Sequence, residues 1–278
     1  ISFLKSGLVF ADTLTTVSPA YCKEIQTPAL GFGMEGILQK RSTHLHGILN
    51  GVDYSVWNPE TDPLIPVIYG PTSLSQKTQC REYLMRMFSL RLNKRTPILC
   101  MITRLSEQKG IDLIMEAKAV LNKLDMSLLI LGTGESRYES FFQQWSKERP
   151  DHIATALKFD ESLGHRILAG SDMLLMPSRY EPCGLTQMYA LKYGTVPIVR
   201  NIGGLKNSIQ EFSDKTGKGN GFKFPNKKYF LKSLQKALSC FNQTKTWEKL
   251  MRNGMGKDNS WECSAKQYSR LYQKILRS

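Results

Sequence analysis

The stretch "SDMLLMPSRYEPCGLTQ", Ser171–Gln187, joins an apolar run to a polar turn and then to a helical pattern. Its apolar part, Asp172–Pro177, is short and is ended by a proline, as in a buried strand. An arginine, a tyrosine and Glu181 follow at once, and Pro-Cys-Gly then precedes the helical pattern. The stretch therefore predicts a core strand whose C-terminal end carries a carboxylate and a turn that opens a helix near Gly184.

The same alternation of strand and helix extends along the chain on both sides of this stretch. The predicted strands are Pro97–Thr103, Ser127–Gly132, Asp151–Ala156, Asp172–Pro177 and Val196–Arg200, and the helices between them are Ile111–Leu124, Tyr138–Glu148, Leu163–Ser171 and Leu185–Gly194. Strands that are apolar throughout and alternate with helices indicate an α/β fold with a doubly wound parallel sheet. Ligands bind outside the carboxyl ends of such strands. We therefore expect the loops "RLSEQKG", "GTGES", "LKFDES", "SRYEPCG" and "RNIGGL" to lie side by side at one rim.

The regions outside this unit differ in pattern. In the N-terminal part, Gly7–Ser18 and Gly47–Asp53 are strand-like, and the glycine-rich segment between them is irregular. Several prolines between Asn58 and Thr72 predict an interdomain linker. At the other end, apolar residues spaced by three or four predict an amphipathic helix that needs a partner surface. We interpret the first part as the tail end of a domain whose beginning is missing.

Composition excludes several classes of protein. The 278 residues are 41% hydrophobic and 22% charged, which is typical of a globular protein. No apolar run reaches the length of a membrane span. The net charge is +14, and the segment Lys215–Lys249 holds nine lysines and one carboxylate. This segment fits either a polyanion-binding surface or a solvated face, and we favour the solvated face and no nucleic-acid partner because no aromatic residues interleave with the charge.

Cysteine and histidine usage predicts neither disulfides nor a metal site. The six cysteines lie far apart without a CxxC pair, and the four histidines lack the spacing of zinc ligands. Reduced cysteines favour the interior of a cell or organelle.

The rim loops carry groups suited to a phosphorylated ligand. Arg104 and Lys109 follow the first strand of the unit and suit a pyrophosphate whose charge grows as it departs. The amides at the helix start near Gly184 offer an anion site, and Gly203-Gly204 offers a further turn of that kind. Glu181 has three interpretations: a helix cap, the partner of a neighbouring arginine, or a hydrogen-bond acceptor for a neutral polar ligand. A carboxylate beside phosphate donors suits sugar hydroxyls, so the combination suggests a nucleotide sugar.

Five segments carry a resemblance to a known family. The sequence resembles the bacterial glycogen synthases and plant starch synthases nearly from end to end. The matching segments are "KSGLVFADTLTTVSPAYCKEIQTPALGFGMEGIL", "GILNGVDYSVWNPETDP", "TRLSEQKGIDL", "PSRYEPCGLTQMYALKYGTVPIVRNIGGL" and "NSWECSAKQYSRLY". The resemblance implies a GT-B glycosyltransferase, in which two Rossmann-like domains face each other across a cleft. Residues 1–71 would then be the remnant of the acceptor-side domain and the linker, 72–256 the nucleotide-sugar-binding domain, and 257–278 a helix that crosses back to the first domain.

The resemblance also implies roles for individual residues. Arg104 and Lys109 correspond to the family's basic pair at the diphosphate, and Glu181 to its carboxylate at the donor glucose. The other implied contacts are the backbone of Cys183, Gly184, Leu185 and Thr186 to glucose hydroxyls and phosphate, Asn50 to the glucose from the other domain, Phe159 to adenine, and His165 at a position of less defined role. Tyr189 stands where many related enzymes have a second glutamate for the ribose of a UDP or GDP donor, which favours ADP-glucose.

These implications define an expected function. It is retaining transfer of glucose from ADP-glucose to the end of an α-1,4-glucan, with no metal and no cofactor. Because the glycine-rich loop of the first domain is absent, we expect the chain to be the C-terminal part of a synthase with little elongation activity of its own. The alternatives are a truncated, non-catalytic nucleotide- or glucan-binding protein, a basic scaffold, and a GT-B enzyme that uses a UDP-sugar. We expect a cytoplasmic protein if it is bacterial and a stromal one if it comes from a plastid.

Overall fold

The computed structural model describes residues 2–91, 93 and 95–277. Its N-terminal unit contains α1 (Phe3–Phe10), β1 (Leu14–Thr16), α2 (Pro19–Glu24), α3 (Glu35–Lys40) and β2 (Leu45–Gly47). Strands β1 and β2 pair in parallel. A small apolar cluster that includes Leu14, Leu38 and Leu45 holds the unit together.

The strand predicted from Gly7 is wrong in its first half. Gly7–Phe10 end helix α1, whose N-terminus is capped by the Ser2 hydroxyl accepting from the Lys5 amide at 3.3 Å. A short apolar run fits a helix and a strand equally well, and the cap decides between them. Two further expectations need correction, since β2 ends at Gly47 rather than running to Asp53, and α3 forms within the segment interpreted as irregular.

The larger unit follows the predicted order of strands and helices. Its elements are α4 (Lys77–Met87), β3 (Ile98–Ile102), α5 (Ile111–Leu121), β4 (Ser127–Leu131), α6 (Ser136–Glu148), β5 (Ile153–Ala156), α7 (Glu161–Gly170), β6 (Met173–Met176), α8 (Thr186–Lys192), β7 (Val196–Arg200), α9 (Gly203–Ser208), β8 (Phe222–Phe224), α10 (Lys227–Phe241) and α11 (Thr244–Met255). The six strands are all parallel, in the order β5-β4-β3-β6-β7-β8. The predicted α/β parallel sheet is therefore confirmed.

The sheet is buried on both faces because its strands are apolar throughout. One face packs against a cluster that includes Leu99, Leu128 and Phe142, and the other against one that includes Cys100, Leu129 and Leu174. The alternating residues of one strand thus supply both cores, as expected for a sheet covered by helices on each side. The strand order reverses between β3 and β6. This reversal opens a crevice at the carboxyl ends of these two strands, where ligands of such sheets bind.

The proline-rich segment between the units has neither helix nor strand, yet it is packed against the larger unit. Ile65 and Tyr69 are buried in one of the sheet's two cores, and Asp62 is buried beside His165. The Tyr69 hydroxyl donates to the carbonyl of Tyr193 at 2.8 Å. The segment is therefore an integral part of the fold and not a loose connection.

The last helix, α12 (Trp261–Ile275), starts against the first unit. Residues Val52 and Ser260 form a parallel bridge, and the Trp261 amide donates to the Val52 carbonyl at 3.2 Å. Among the described residues, no helix is both long enough and apolar enough to cross a bilayer.

Candidate active site

The loops after β3 and β6 meet at the crevice. The amide of Arg179 donates to the Gln108 carbonyl at 2.8 Å, and Gln108 Nε2 donates to the Tyr180 carbonyl at 3.4 Å. The guanidinium of Arg179 adds an ion pair to Glu107 at 2.6 Å. These contacts fix the two loops against each other, so that the residues they carry keep a defined spacing.

The charged centre of the crevice is an ion pair between Lys109 and Glu181. The Lys109 Nζ lies 2.6 Å from Glu181 Oε2, and only 16% and 7% of the two side chains are exposed. The Ser178 hydroxyl donates to the same carboxylate oxygen at 3.0 Å. Burying a carboxylate this deeply costs free energy, which the partner charge and the hydrogen bond offset.

The structure does not support two of the three interpretations of Glu181. Its cation is a lysine rather than a neighbouring arginine, and Glu181 does not cap α8. The helix begins at Thr186 with Leu185 at the capping position, two residues later than the start expected at Gly184. The third interpretation, a role toward a ligand in the crevice, stays a prediction.

The turn between Glu181 and α8 presents unpaired amides. Gly184 has φ +68°, a left-handed conformation that glycine adopts without cost. The side chain of Gln187 folds back beneath the turn and donates to the carbonyls of Cys183 and Gly184 at 3.1 and 2.8 Å. In the part of the chain that the structure describes, no protein acceptor lies in hydrogen-bonding position to the amides of Gly184, Leu185 and Thr186. This arrangement fits the predicted anion site.

Gly203 and Gly204 were expected to form a second anion-binding turn, and the structure gives them another role. The Gly203 amide donates to Glu24 Oε1 and the Gly204 amide to the Glu181 carbonyl, each at 2.9 Å. A Cβ on either glycine would lie 1.9 Å from a carbonyl oxygen of Glu181 or Cys183. The glycines are required because the backbone of α9 packs directly on the loop that carries Glu181.

We expect Gly203→Ala to lower the free energy of unfolding by about 2 kcal/mol, since Gly203 has φ +47° and no space for a methyl group. Chemical denaturation measures this difference. Gly36→Ala is the matched control, because Gly36 lies in helix α3 with nothing within 4 Å of an added Cβ. Equal stability of the two variants would contradict the close packing of α9 on the Glu181 loop.

A cleft of about 360 Å³ with a largely apolar wall lies at the same edge of the sheet. Residues that line it include Arg104, Thr186, Trp57, Tyr189 and Phe159. Trp57 lies flat on Tyr189, with ring centroids 4.0 Å apart and an angle of 2° between the planes. The ring of Phe159 is 88% exposed, which leaves its face open to a ligand. Arg104 is exposed as well, with Nη2 3.5 Å from Gln108 Oε1.

His165 and Asn50 stand apart from this cleft. His165 is 1% exposed, its Nδ1 lies 2.7 Å from Asp62 Oδ2, and its ring stacks on the side of Trp57 at 3.7 Å. The histidine therefore supports Trp57 and does not line the cleft. The backbone of Asn50 hydrogen-bonds to the thiol of Cys183, so the first unit touches the Glu181 loop there.

The site contains charged side chains, but its thiol, that of Cys183, is not an activated nucleophile. Burial raises the pKa of the Cys183 thiol, so the sulfur stays protonated and unreactive at neutral pH. All six cysteines are free. Within the described ranges, no group of three or more histidine, cysteine, aspartate or glutamate side chains is placed to hold a metal ion.

Sequence reasoning missed Trp57 as part of this site. Trp57 belongs to no periodic pattern, and its place in the cleft follows from the packing of the segment between the units. The sequence feature next to Trp57 is a proline-rich stretch, and such a stretch indicates a turn rather than a binding site.

Comparison with known proteins places the chain in a family. Residues 86–254 match the family described as "Glycosyl transferases group 1", and residues 1–40 match the one described as "Starch synthase catalytic domain". The chain belongs to the group 1 glycosyl transferases. Its matched range covers the whole crevice between β3 and β6, including the ion pair.

Within the group 1 glycosyl transferases, the similarity is to glycogen and starch synthases. The chain is 45% identical to a glycogen synthase of Anaeromyxobacter dehalogenans over 99% of its own length and 58% of that protein. It is 47% identical to a glycogen synthase of Koribacter versatilis, over 99% of its length and 57% of that protein. The chain thus spans somewhat more than half the length of these relatives.

A solved structure agrees with the sequence relatives. The catalytic domain of starch synthase IV from Arabidopsis thaliana, bound to ADP and acarbose, superposes with a TM-score of 0.93 at 35% identity, over 99% of this chain and 58% of that one. The predicted GT-B glycosyltransferase fold and the resemblance to glycogen and starch synthases are confirmed.

Proposed function

We propose that the protein transfers glucose from ADP-glucose to the non-reducing end of an α-1,4-glucan with retention of configuration. The observation that carries the proposal is the Lys109–Glu181 pair, which shares the crevice with the unpaired amides of the Gly184 turn and with a cleft lined by the exposed ring of Phe159. The exposed aromatic ring suits a nucleotide base, the cations and the amides suit a diphosphate, and the carboxylate suits a sugar. The names of the relatives support the same assignment.

Each part of the donor has a matching group. Phe159 offers its face to the adenine, and the apolar wall of Trp57 and Tyr189 borders the ribose. Arg104, Lys109 and the amides of the Gly184 turn receive the diphosphate, whose negative charge grows as the bond to glucose breaks. Glu181 lies at the glucose, where the ring gains positive charge in an oxocarbenium-like transition state.

The proposed site needs no divalent ion to bind the diphosphate. Lys109 exchanges part of its contact with Glu181 for a phosphate oxygen, and Arg104 is exposed and free to form a forked contact. The backbone amides add dipoles that need no counter-ion. The protein thereby supplies the positive charge that magnesium supplies in many nucleotide-binding enzymes.

The alternative donors and functions have less support. Many related enzymes hold the ribose of a UDP or GDP donor with a second glutamate, and here that position is Tyr189, whose ring stacks on Trp57. A non-catalytic remnant would not need to keep a buried, partnered carboxylate at the sugar end of the crevice. A basic scaffold would not need the cleft.

We expect the chain to bind ADP equally well with and without a metal chelator, as measured by titration calorimetry. Phe159→Ala should weaken ADP binding by about tenfold, because a base–aromatic stack contributes about 1–3 kcal/mol. Phe3→Ala is the matched control, since Phe3 is 89% exposed and lies far from the cleft on α1. Loss of binding in the chelator would contradict the metal-free diphosphate site, and equal affinities of the two variants would remove Phe159 from it.

A further inference from the structure

One exposed aromatic residue near the site has an unusual backbone conformation. Phe32 has φ +49°, in the left-handed region that a bulky side chain rarely adopts, and 68% of it is exposed. Such backbone strain concentrates at ligand-binding positions, where the surrounding structure holds the residue in place. Neither the donor site nor the core of the first unit uses this ring.

The loop around Phe32 is firmly held. The Gly31 amide donates to the Thr27 carbonyl at 2.8 Å, and the Met34 amide donates to the Gly31 carbonyl at 2.9 Å. On the other side of the ring, the Gly33 amide donates to Glu35 Oε2 at 2.9 Å. The ring is thus presented to the surface by a fixed turn.

Phe32 reaches across to the residue that precedes Glu181. Its ring makes an edge contact with Tyr180, with centroids 5.7 Å apart and 62° between the planes. Tyr21, half-buried on α2, lies close to Tyr180, and burial together with the neighbouring Tyr180 raises the pKa of its hydroxyl. The Ser18 hydroxyl, which caps α2, donates to the Pro182 carbonyl at 2.6 Å. Both units therefore contribute to one aromatic edge beside the Glu181 loop.

We propose that Phe32 and Tyr180, supported by Tyr21, form a binding edge for the acceptor glucan, on which a glucose ring of the acceptor stacks. This proposal rests on the proposed function. If Glu181 faces the donor glucose, the acceptor must reach that sugar through the space between the two units, and the Phe32–Tyr180 edge borders this space. Pyranose rings carry an apolar face of C–H groups, which aromatic faces bind without fixing a single sugar register.

The side chains at this edge suit a neutral sugar better than a charged ligand. Lys109 and Arg179, the cations that contact the loop of Tyr180 and Glu181, are paired with carboxylates of the larger unit. The edge itself consists of three aromatic rings, and two of them are phenols. A growing glucan needs contacts of this kind, because its end must be released and bound again in a shifted register.

The experiment compares Phe32→Gly with Phe10→Ala in the full-length protein. Glycine removes the ring and tolerates the left-handed backbone, so the fold is kept. Phe10→Ala removes a phenyl ring that is 83% exposed at the end of α1. We expect Phe32→Gly to raise the KM for maltoheptaose by about tenfold while the Kd for ADP is unchanged, and Phe10→Ala to change neither.

Two further measurements keep the outcomes distinct. Phe32→Tyr retains an aromatic face and should restore the KM for maltoheptaose, whereas a purely structural role predicts no such dependence on aromaticity. An unchanged KM in Phe32→Gly, or a KM that Phe32→Tyr does not restore, overturns the acceptor edge. If the wild-type protein binds no ADP and transfers no glucose from ADP-glucose, the proposed function fails, and the acceptor edge fails with it.

Discussion

Replacing Glu181 with glutamine is expected to lower kcat for glucosyl transfer by the full-length protein by about 10²–10³-fold, with little change in the Kd for ADP. The amide keeps the size and some hydrogen bonding of the side chain, but it loses the negative charge. That charge matters most when the glucose ring becomes positive, so the loss falls on the transition state rather than on nucleotide binding. Initial rates at saturating ADP-glucose and calorimetry with ADP measure the two quantities.

The ion pair makes the comparison with Lys109→Ala informative. In Glu181→Gln, Lys109 loses its charged partner at 2.6 Å and is more available to the diphosphate, so ADP affinity is retained or slightly increased. In Lys109→Ala, the diphosphate loses a cation in both ground and transition states, and the buried carboxylate of Glu181 is left without its partner. Both ADP affinity and kcat should then fall.

Two outcomes would contradict the sugar-side role of Glu181. One is normal turnover by Glu181→Gln. The other is a loss of ADP affinity in Glu181→Gln as large as that in Lys109→Ala, which would mean that the carboxylate only positions the lysine. Ser178→Ala serves as a control for the network, because it removes one hydrogen bond of 3.0 Å to Glu181 and leaves both charges in place. Its effect on kcat should be far smaller.

The sequence predicts the large sheet well because its strands are apolar on both faces. Runs such as "SLLIL" and "MLLM" leave few other ways to bury them, and the helices between them show a clear period. Since the carboxyl ends of parallel strands share one edge, the meeting of the Arg104–Lys109 loop with the Glu181 loop follows from topology alone. The direct ion pair of Lys109 with Glu181 was not predicted, since the sequence suggested an arginine as the partner of that carboxylate.

Features that depend on contacts distant in sequence were not predictable. The start of α8 at Thr186 has no capping side chain to mark it, and Gln187 holds the turn from within the helix. The use of Gly203 as a spacer against Glu181 becomes visible only when α9 is placed on that loop. Trp57 enters the cleft because His165 supports it from behind, and nothing in the local pattern around either residue indicates the stack.

The second large effect is expected at Lys77, a lysine buried beneath the ends of two helices. Its Nζ donates to the carbonyls of Leu168, Ala169 and Tyr193 at 3.2, 2.8 and 3.1 Å, and to the Thr195 hydroxyl at 3.0 Å. The lysine thus joins the C-terminal ends of α7 and α8, where carbonyls lack partners within the helix. Lys77→Met keeps the apolar stem but leaves these acceptors unsatisfied. We expect a loss of about 3 kcal/mol in the free energy of unfolding at pH 7.

The size of this loss should depend on pH in a defined direction. Burial lowers the pKa of Lys77 from 10.5 to about 8 in the folded protein. Between these values the unfolded chain binds more protons than the folded one, so the free energy of unfolding of the wild type rises with pH, by up to about 1.4 kcal/mol per pH unit. The variant lacks this contribution. The difference between wild type and Lys77→Met should therefore be larger at pH 9.5 than at pH 7, by about 2 kcal/mol.

Urea denaturation of both proteins at several pH values between 7 and 9.5 tests the expectation. Keeping the pH below 9.5 limits the ionisation of tyrosines, and the ionisation that remains affects both proteins alike. Lys232→Met is the matched control, since Lys232 is exposed on α10 and its loss should change stability little at any pH. A difference between wild type and Lys77→Met that stays constant or shrinks as pH rises would mean that the ammonium group is not destabilised by burial.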